Sequence, residues 1–231
     1  PSALLLAATQ HISTDVAAVP LLWVLPLALY LLSFILVFAR RPILRHRWML
    51  WFQVGVYALL AIYFKEDDYL WLTLSLNLLA LFVTAMVCHG ELVRLRPPAG
   101  HLTEFYLWMY IGGLLGGVFC SLIAPIVFDS VLEYPLVLIL ACLARPTAGR
   151  SDLNRRLLDI ALPAILISLH VVIWERVDVS RIGPAGPILF YGTTAIVLYA
   201  FRKRPLRLGL GFAGILIYGM VIDKLPYQFY R

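Results

Sequence analysis

The stretch His89–Gly117, HGELVRLRPPAGHLTEFYLWMYIGGLLGG, decides how the rest of the chain is read. Its first half is charged and broken by Pro97-Pro98 and Gly100, and its second half is apolar and rich in glycine. A polar loop that runs straight into an oily helix is what the edge of a bilayer imposes. Backbone groups in hydrocarbon must be satisfied within a helix, and charge is tolerated only outside it. His89, Glu91, His101, Glu104 and Tyr106 crowd that edge.

Composition extends the reading to the whole chain. Of its 231 residues 62% are hydrophobic and 14% charged, with a mean hydropathy of +0.88. Soluble domains run at about 45–50% apolar and about 25% charged, and one aqueous core of this size has no room for the excess. The sequence predicts an all-α fold: a polytopic integral membrane helical bundle of transporter type, one transmembrane domain over 1–231. The net charge of +6 sits in short loops between apolar runs, which is the pattern of membrane orientation and not of nucleic-acid binding. Cys88, Cys120 and Cys142 lie in or beside apolar runs with no CxxC pair, so they read as small packing residues. Residue 1 is Pro and no basic segment precedes Ala3–Ala8; the chain reads as part of a longer protein.

Apolar runs of about 20 residues predict eight crossings: Val16–Ala39, Trp48–Phe64, Tyr69–Cys88, Phe105–Phe128, Val127–Ala144, Leu157–Trp174, Ala185–Phe201 and Leu206–Ile222. The first five fall in 1–144 and the last three in 157–222, with a hinge-like loop over Arg145–Arg156. The fifth is the weakest by length, because Leu136–Ala144 alone is short, and charge decides for it. If 127–144 crosses, loops 40–47, 89–104, 145–156 and 202–207 share one side and hold 14 of the 19 Lys and Arg. The positive-inside rule then makes those loops cytoplasmic and both chain ends non-cytoplasmic. Trp48, Trp51, Tyr69, Trp71, Tyr106 and Trp108 lie near span ends as an interfacial aromatic belt.

Several motifs stand out. Gly112, Gly113, Gly116 and Gly117 form GxxxG twice, a stripe on which another helix backbone can pack closely. His89-Gly-Glu91 and His101-x-x-Glu104 supply two imidazoles and two carboxylates. They fit a cluster docking the loop, a proton or substrate relay, or a metal site. His11, Ser13, Thr14 and Asp15 interrupt the first apolar run, either as an N-cap for the first span or as a broken-helix site. Asn77, Thr73 and His170 read as interhelical hydrogen-bond formers, and Glu133-Tyr134-Pro135 as the turn that starts a helix. The sequence holds no catalytic triad, P-loop or dinucleotide fingerprint, and neither cofactor nor metal is expected.

Two segments, His11–Phe38 (HISTDVAAVPLLWVLPLALYLLSFILVF) and Cys88–Leu136, resemble the membrane portion of bacterial proteins described as fused major-facilitator transporter/spermidine synthases. The series D-V-A-x-x-P-L-L-W-V, H-G-E-L and H-L-T-x-F-Y carries the resemblance over roughly the first 145 residues; beyond them only hydropathy agrees. The resemblance implies a transporter-like fold in the bacterial inner membrane and points to His11, Asp15, His89, Glu91, His101, Thr103, Tyr106, Glu133 and Tyr134. The family's aminopropyltransferase domain has no counterpart in this sequence. Three functions follow as expectations: movement of a small polar or cationic solute, with Asp15, Glu91, Glu104 and Glu133 as its counter-charges and His89 or His101 passing protons; a non-transporting anchor or subunit of a membrane complex, with other subunits or a second copy as partners; and an intramembrane metalloenzyme built on the His/Glu pairs.

Overall fold

The computed structural model describes residues 1–16, 21–39, 44–63, 70–128, 131–146, 153–176 and 185–222. All regular structure among them is helical. α1 (Ser2–His11) runs into a π-turn at Ile12–Val16; α2 (Val24–Phe38), α3 (His46–Tyr63) and α4 (Leu70–Arg94) follow. A 3-10 turn at Ala99–His101 opens α5 (Leu102–Val118), which passes through a second π-turn, Phe119–Ile123, into α6 (Ala124–Val127). The remaining helices are α7 (Glu133–Leu143), α8 (Leu153–Arg176), α9 (Ala185–Ala200) and α10 (Pro205–Ile222).

Two stretches, Leu70–Arg94 (25 residues) and Ala99–Val127 (29 residues), are long and apolar enough to cross a membrane, each holding an 18-residue window with a mean hydropathy of 2.0. The apolar stretches Val24–Phe38, Glu133–Leu143, Leu157–Leu169 and Pro205–Ile217 are shorter. One apolar cluster, from Leu4 to Leu216, joins residues of both halves of the chain. Helix α4 is sunk in it, with 56% of its apolar window buried, against 11% for the window containing α5.

Close approaches depend on glycine. A Cβ on Gly116 would stand 3.0 Å from the Ala3 backbone nitrogen, and one on Gly113 would stand 3.3 Å from Ser2 Oγ. The stripe is thus the seat of α1, Gly117 meeting Leu6, while Gly112 faces open space. In α10 the same device recurs without having been singled out in the sequence: Gly209 lies on α7, Gly211 on Phe201, and Gly214 against Ile167 of α8.

Several sequence expectations need correction. The loop over 89–104 is helical as far as Arg94, because the HGEL segment continues α4 and the chain leaves the helix only just before Pro97-Pro98, where proline disfavours it. The first span does not begin at Val16: α2 starts at Val24 after Leu21, which adopts a left-handed φ of 65°. Ser13, Thr14 and Asp15 therefore do not cap that helix, and Thr14 bonds back to the Gln10 carbonyl at 2.8 Å. Nor is 127–144 one helix, since Phe128 is extended and regular structure resumes at Glu133. Asn77 donates within its own helix, to the Thr73 carbonyl at 2.9 Å. Lys65–Asp68, Tyr69 and the His170 side chain lie outside the described residues.

Candidate functional site

The polar residues fall into three groups, distinguished by how completely each charge is answered.

The first group is built on the end of α4. Glu91 is 6% exposed and carries two partners: His46 Nε2 lies 2.6 Å from Oε1, and Arg94 Nη2 lies 2.6 Å from Oε2. His46 comes from the first turn of α3, and its ring rests on the α4 backbone because residue 90 is glycine; a Cβ there would fall 2.2 Å from Nδ1. Two residues before Glu91, His89 is buried with Nδ1 3.0 Å from Ser33 Oγ of α2, and the rings of Tyr30 and Phe34 meet it edge-on. HGE is therefore a lock joining α2, α3 and α4. With both oxygens of Glu91 paired, it has no charge left for a solute. The motif's α4 half was readable in the sequence; Ser33 and His46, 56 and 45 residues away from their partners, were not.

The second part of the predicted cluster does not join it. His101, Thr103 and Glu104 are exposed at the start of α5, Tyr106 is half-buried against Phe105, and no contact brings them to His89 or Glu91. Glu104 lies in the first turn of α5, where a carboxylate complements the helix dipole. Among the described residues no three of His, Cys, Asp and Glu gather as metal ligands.

The second group is a buried hydrogen-bond chain. Arg145 follows α7 and is 6% exposed. It donates to Gln53 Oε1 at 2.6 Å, to the Leu50 carbonyl at 3.1 Å and to the Arg202 carbonyl at 3.0 Å. Gln53 Nε2 donates on to the Tyr57 hydroxyl at 3.3 Å, and Tyr57 donates to the Leu138 carbonyl at 3.1 Å, with Thr84 Oγ1 3.1 Å from the same hydroxyl. The Tyr57 ring stacks on Phe212 at 4.6 Å. The chain ties α3, α4, α7 and the segment after α9, and leaves little of its polar interior unanswered. Burial pulls the Arg145 guanidinium below its ordinary pKa.

The third group is different. At the start of α7, Glu133 is 6% exposed, and no described residue forms a hydrogen bond or ion pair with it. It lines a cavity of about 290 Å³ together with Leu6, Ala7 and Gln10 of α1, and Cys120, Ser121 and Pro125 of the α5–α6 junction. Two irregular turns flank the cavity: the π-turn Ile12–Val16 just after Gln10, and the π-turn Phe119–Ile123, which contains Cys120 and Ser121. Such turns widen a helix by a residue and cluster where side chains must be re-aimed. Cys120 Sγ donates to the Ala3 carbonyl at 3.3 Å and fixes the two walls together. Next to these lining residues in sequence, His11 stacks on Tyr134 with ring centroids 4.7 Å apart, and the buried Tyr134 hydroxyl finds no partner among the described atoms.

No family model, curated protein or solved structure matches the chain. The site must therefore be read from its own chemistry. Of the predicted site residues, His11 is brought onto Tyr134, the neighbour of Glu133, across 123 positions of sequence (134 − 11). Asp15 sits on the adjoining π-turn with its side chain outside the described residues. Gln10, Cys120 and Ser121 were missed. The signal that could have found them is the coincidence of two polar interruptions, QHISTD and FCS, in otherwise apolar helices.

Proposed function

We propose that this chain is an eight-crossing membrane module of transporter type, set in a bacterial inner membrane, that holds a small cationic solute against Glu133. The observation that carries the reading is a buried carboxylate, without a counter-charge among the described residues, on the wall of a polar cavity. An ion moved into low dielectric loses several kcal/mol of solvation unless an opposite charge replaces it, and ionisable groups within membrane segments are by default functional candidates. The solute supported best is a protonated amine or similar organic cation. Gln10 and Ser121 offer it hydrogen-bond acceptors beside the carboxylate.

Other observations support the topology. His46 meets Glu91, Arg145 meets the backbone of Leu50 and Arg202, and Arg207 pairs with Asp159 at 2.6 Å. These contacts draw segments 44–47, 89–96, 145–146, the start of α8 and 202–207 to one end of the bundle, the arrangement that the arginine bias requires of a cytoplasmic face. The site at Glu133 lies at the other end of α7. The likeness of His11–Phe38 and Cys88–Leu136 to transporter-linked membrane segments agrees with this reading.

A second reading, the non-transporting anchor or complex subunit, rests on α5. Leu107, Trp108, Leu114, Leu115, Leu122 and Ile126 are each more than half exposed, an outward apolar face suited to lipid or to another membrane subunit.

Equilibrium binding of a radiolabelled diamine and triamine to detergent-purified protein tests the proposal. Wild type is expected to bind and Glu133→Gln to lose at least ten-fold in affinity, with Glu104→Gln unchanged. Equal binding by wild type and Glu133→Gln, or none by either, would remove the solute reading and leave the anchor.

A further inference from the structure

At the opposite end of α7 lies a cavity of about 280 Å³ whose described polar lining is entirely basic: Arg47, Arg145, Arg202 and Lys203, with Leu50, Trp51 and Pro146. It adjoins a second, larger cavity of about 690 Å³ along the outer side of α3, bounded by Arg45, Arg47, Trp48, Trp51, Phe52 and Gly55. Arg47 and Trp51 belong to both, so a cationic chamber and an oily groove are continuous at one rim.

The cations are positioned and incompletely used. Arg145 spends three of its five N–H donors on the Gln53 side chain and the Leu50 and Arg202 carbonyls. Arg202 lies over the Trp51 ring at 4.9 Å and the Tyr199 ring at 4.0 Å, and its buried Nε has no acceptor among the described residues. A buried Nη1 of neighbouring Arg204 lacks one as well. Among the described residues no carboxylate lines either cavity. Buried donors without acceptors are uncommon in folded proteins and call for a ligand or water.

We propose that this end of the bundle binds a phospholipid with a net negative headgroup, its phosphate among the four cations and one acyl chain in the groove along α3. Guanidinium groups suit phosphate because they offer paired donors in a fixed fork. Basic pockets between helices on the cytoplasmic side have the charge to select anionic lipid. The adjoining groove separates this ligand from a free anion: Trp48, Phe52 and the bare backbone at Gly55, which has nothing within 4 Å of its Cβ position, offer an acyl chain a slot and offer inorganic phosphate nothing. The inference shares only the membrane setting with the solute reading above, since Glu133 lies in a different cavity and its variant serves as a control.

The test is thermal unfolding and lipid-retention measurement on the detergent-purified chain, titrated separately with phosphatidylglycerol, phosphatidylcholine and inorganic phosphate. Phosphatidylglycerol is expected to raise Tm and to be retained, and the other two are expected to do neither. Arg47 and Lys203 are exposed, so Arg47→Gln/Lys203→Gln is expected to fold and to weaken phosphatidylglycerol binding about 25-fold, at about five-fold per cation. Gly55→Leu is expected to weaken lipid binding while the cations are intact, and Glu133→Gln to leave it unchanged. Equal effects of phosphatidylcholine, a Tm rise reproduced by phosphate alone, or unchanged lipid preference in the double variant would each overturn the proposal.

Discussion

The two ends of α7 make an instructive pair. Glu133 opens the helix and Arg145 follows it, each 6% exposed, and each has the sign that complements the helix dipole at its end. There the likeness stops. Arg145 is held by one side-chain and two backbone acceptors and anchors a chain of hydrogen bonds to Tyr57. Glu133 has no hydrogen-bond or ion-pair partner among the described residues and borders a cavity. Equal burial and opposite charge therefore do not mean equal roles. A satisfied charge holds elements together, and the other one, as proposed above, has a solute to hold.

The largest expected effect is at the basic end. Arg145→Met leaves Gln53 and two carbonyls without their charged donor and should destabilise the detergent-purified chain by about 3 kcal/mol or more, read as a lowered Tm. Arg145→Lys should recover little of it, because an ammonium cannot span three acceptors that a guanidinium reaches at once. Loss of less than 1 kcal/mol in both variants would mean that the network is decoration. At the acidic end, Gly116→Ala pushes on the Ala3 backbone across the α1–α5 contact and should cost about 1–3 kcal/mol. Gly112→Ala, facing open space, should be neutral or stabilise by up to about 1 kcal/mol; equal effects at both positions would break the account of the stripe.

Tyr57→Phe sharpens the basic end further. It removes one donor to the Leu138 carbonyl and leaves Gln53 Nε2 without its acceptor while keeping the stack on Phe212, for an expected cost of about 1–2 kcal/mol. The smallest change in stability is expected from Glu133→Gln, within about 1 kcal/mol of wild type, since no protein contact is lost. If Glu133→Gln lowered Tm as far as Arg145→Met does, both ends would be structural and the cavity would lose its claim.

Much of the fold was legible in the chain. Helices α3, α9 and α10 start and end close to where hydropathy and the arginine-rich loops put them, whereas α4 runs on to Arg94 and α7 begins only at Glu133. The errors share a cause. HGEL was read as loop because it is polar, yet Glu91 can continue α4 inward because His46 and Arg94 answer its charge. His11, Ser13, Thr14 and Asp15 were read as a cap or a site, and the π-turn at Ile12–Val16 has no periodicity signal. The candidate site was legible in part, through Glu133, Tyr134 and His11; its far wall at Cys120 and Ser121 was not, since a lone cysteine and serine in an apolar run look like packing.

Composition by itself determined that the chain is helical and oily, and its arginines are distributed as a bilayer with one positive side would require. Those are properties summed along the backbone, and each residue contributes without reference to any other. Tertiary structure alone decided which helix is inside: the apolar windows of α4 and of the stretch containing α5 have the same mean hydropathy of 2.0, yet their buried shares are 56% and 11%. It also decided which charges are answered. Pairing depends on partners tens of residues away, as with His46 and Glu91 or Gln53 and Arg145, and only the folded chain brings such partners within a hydrogen bond of each other.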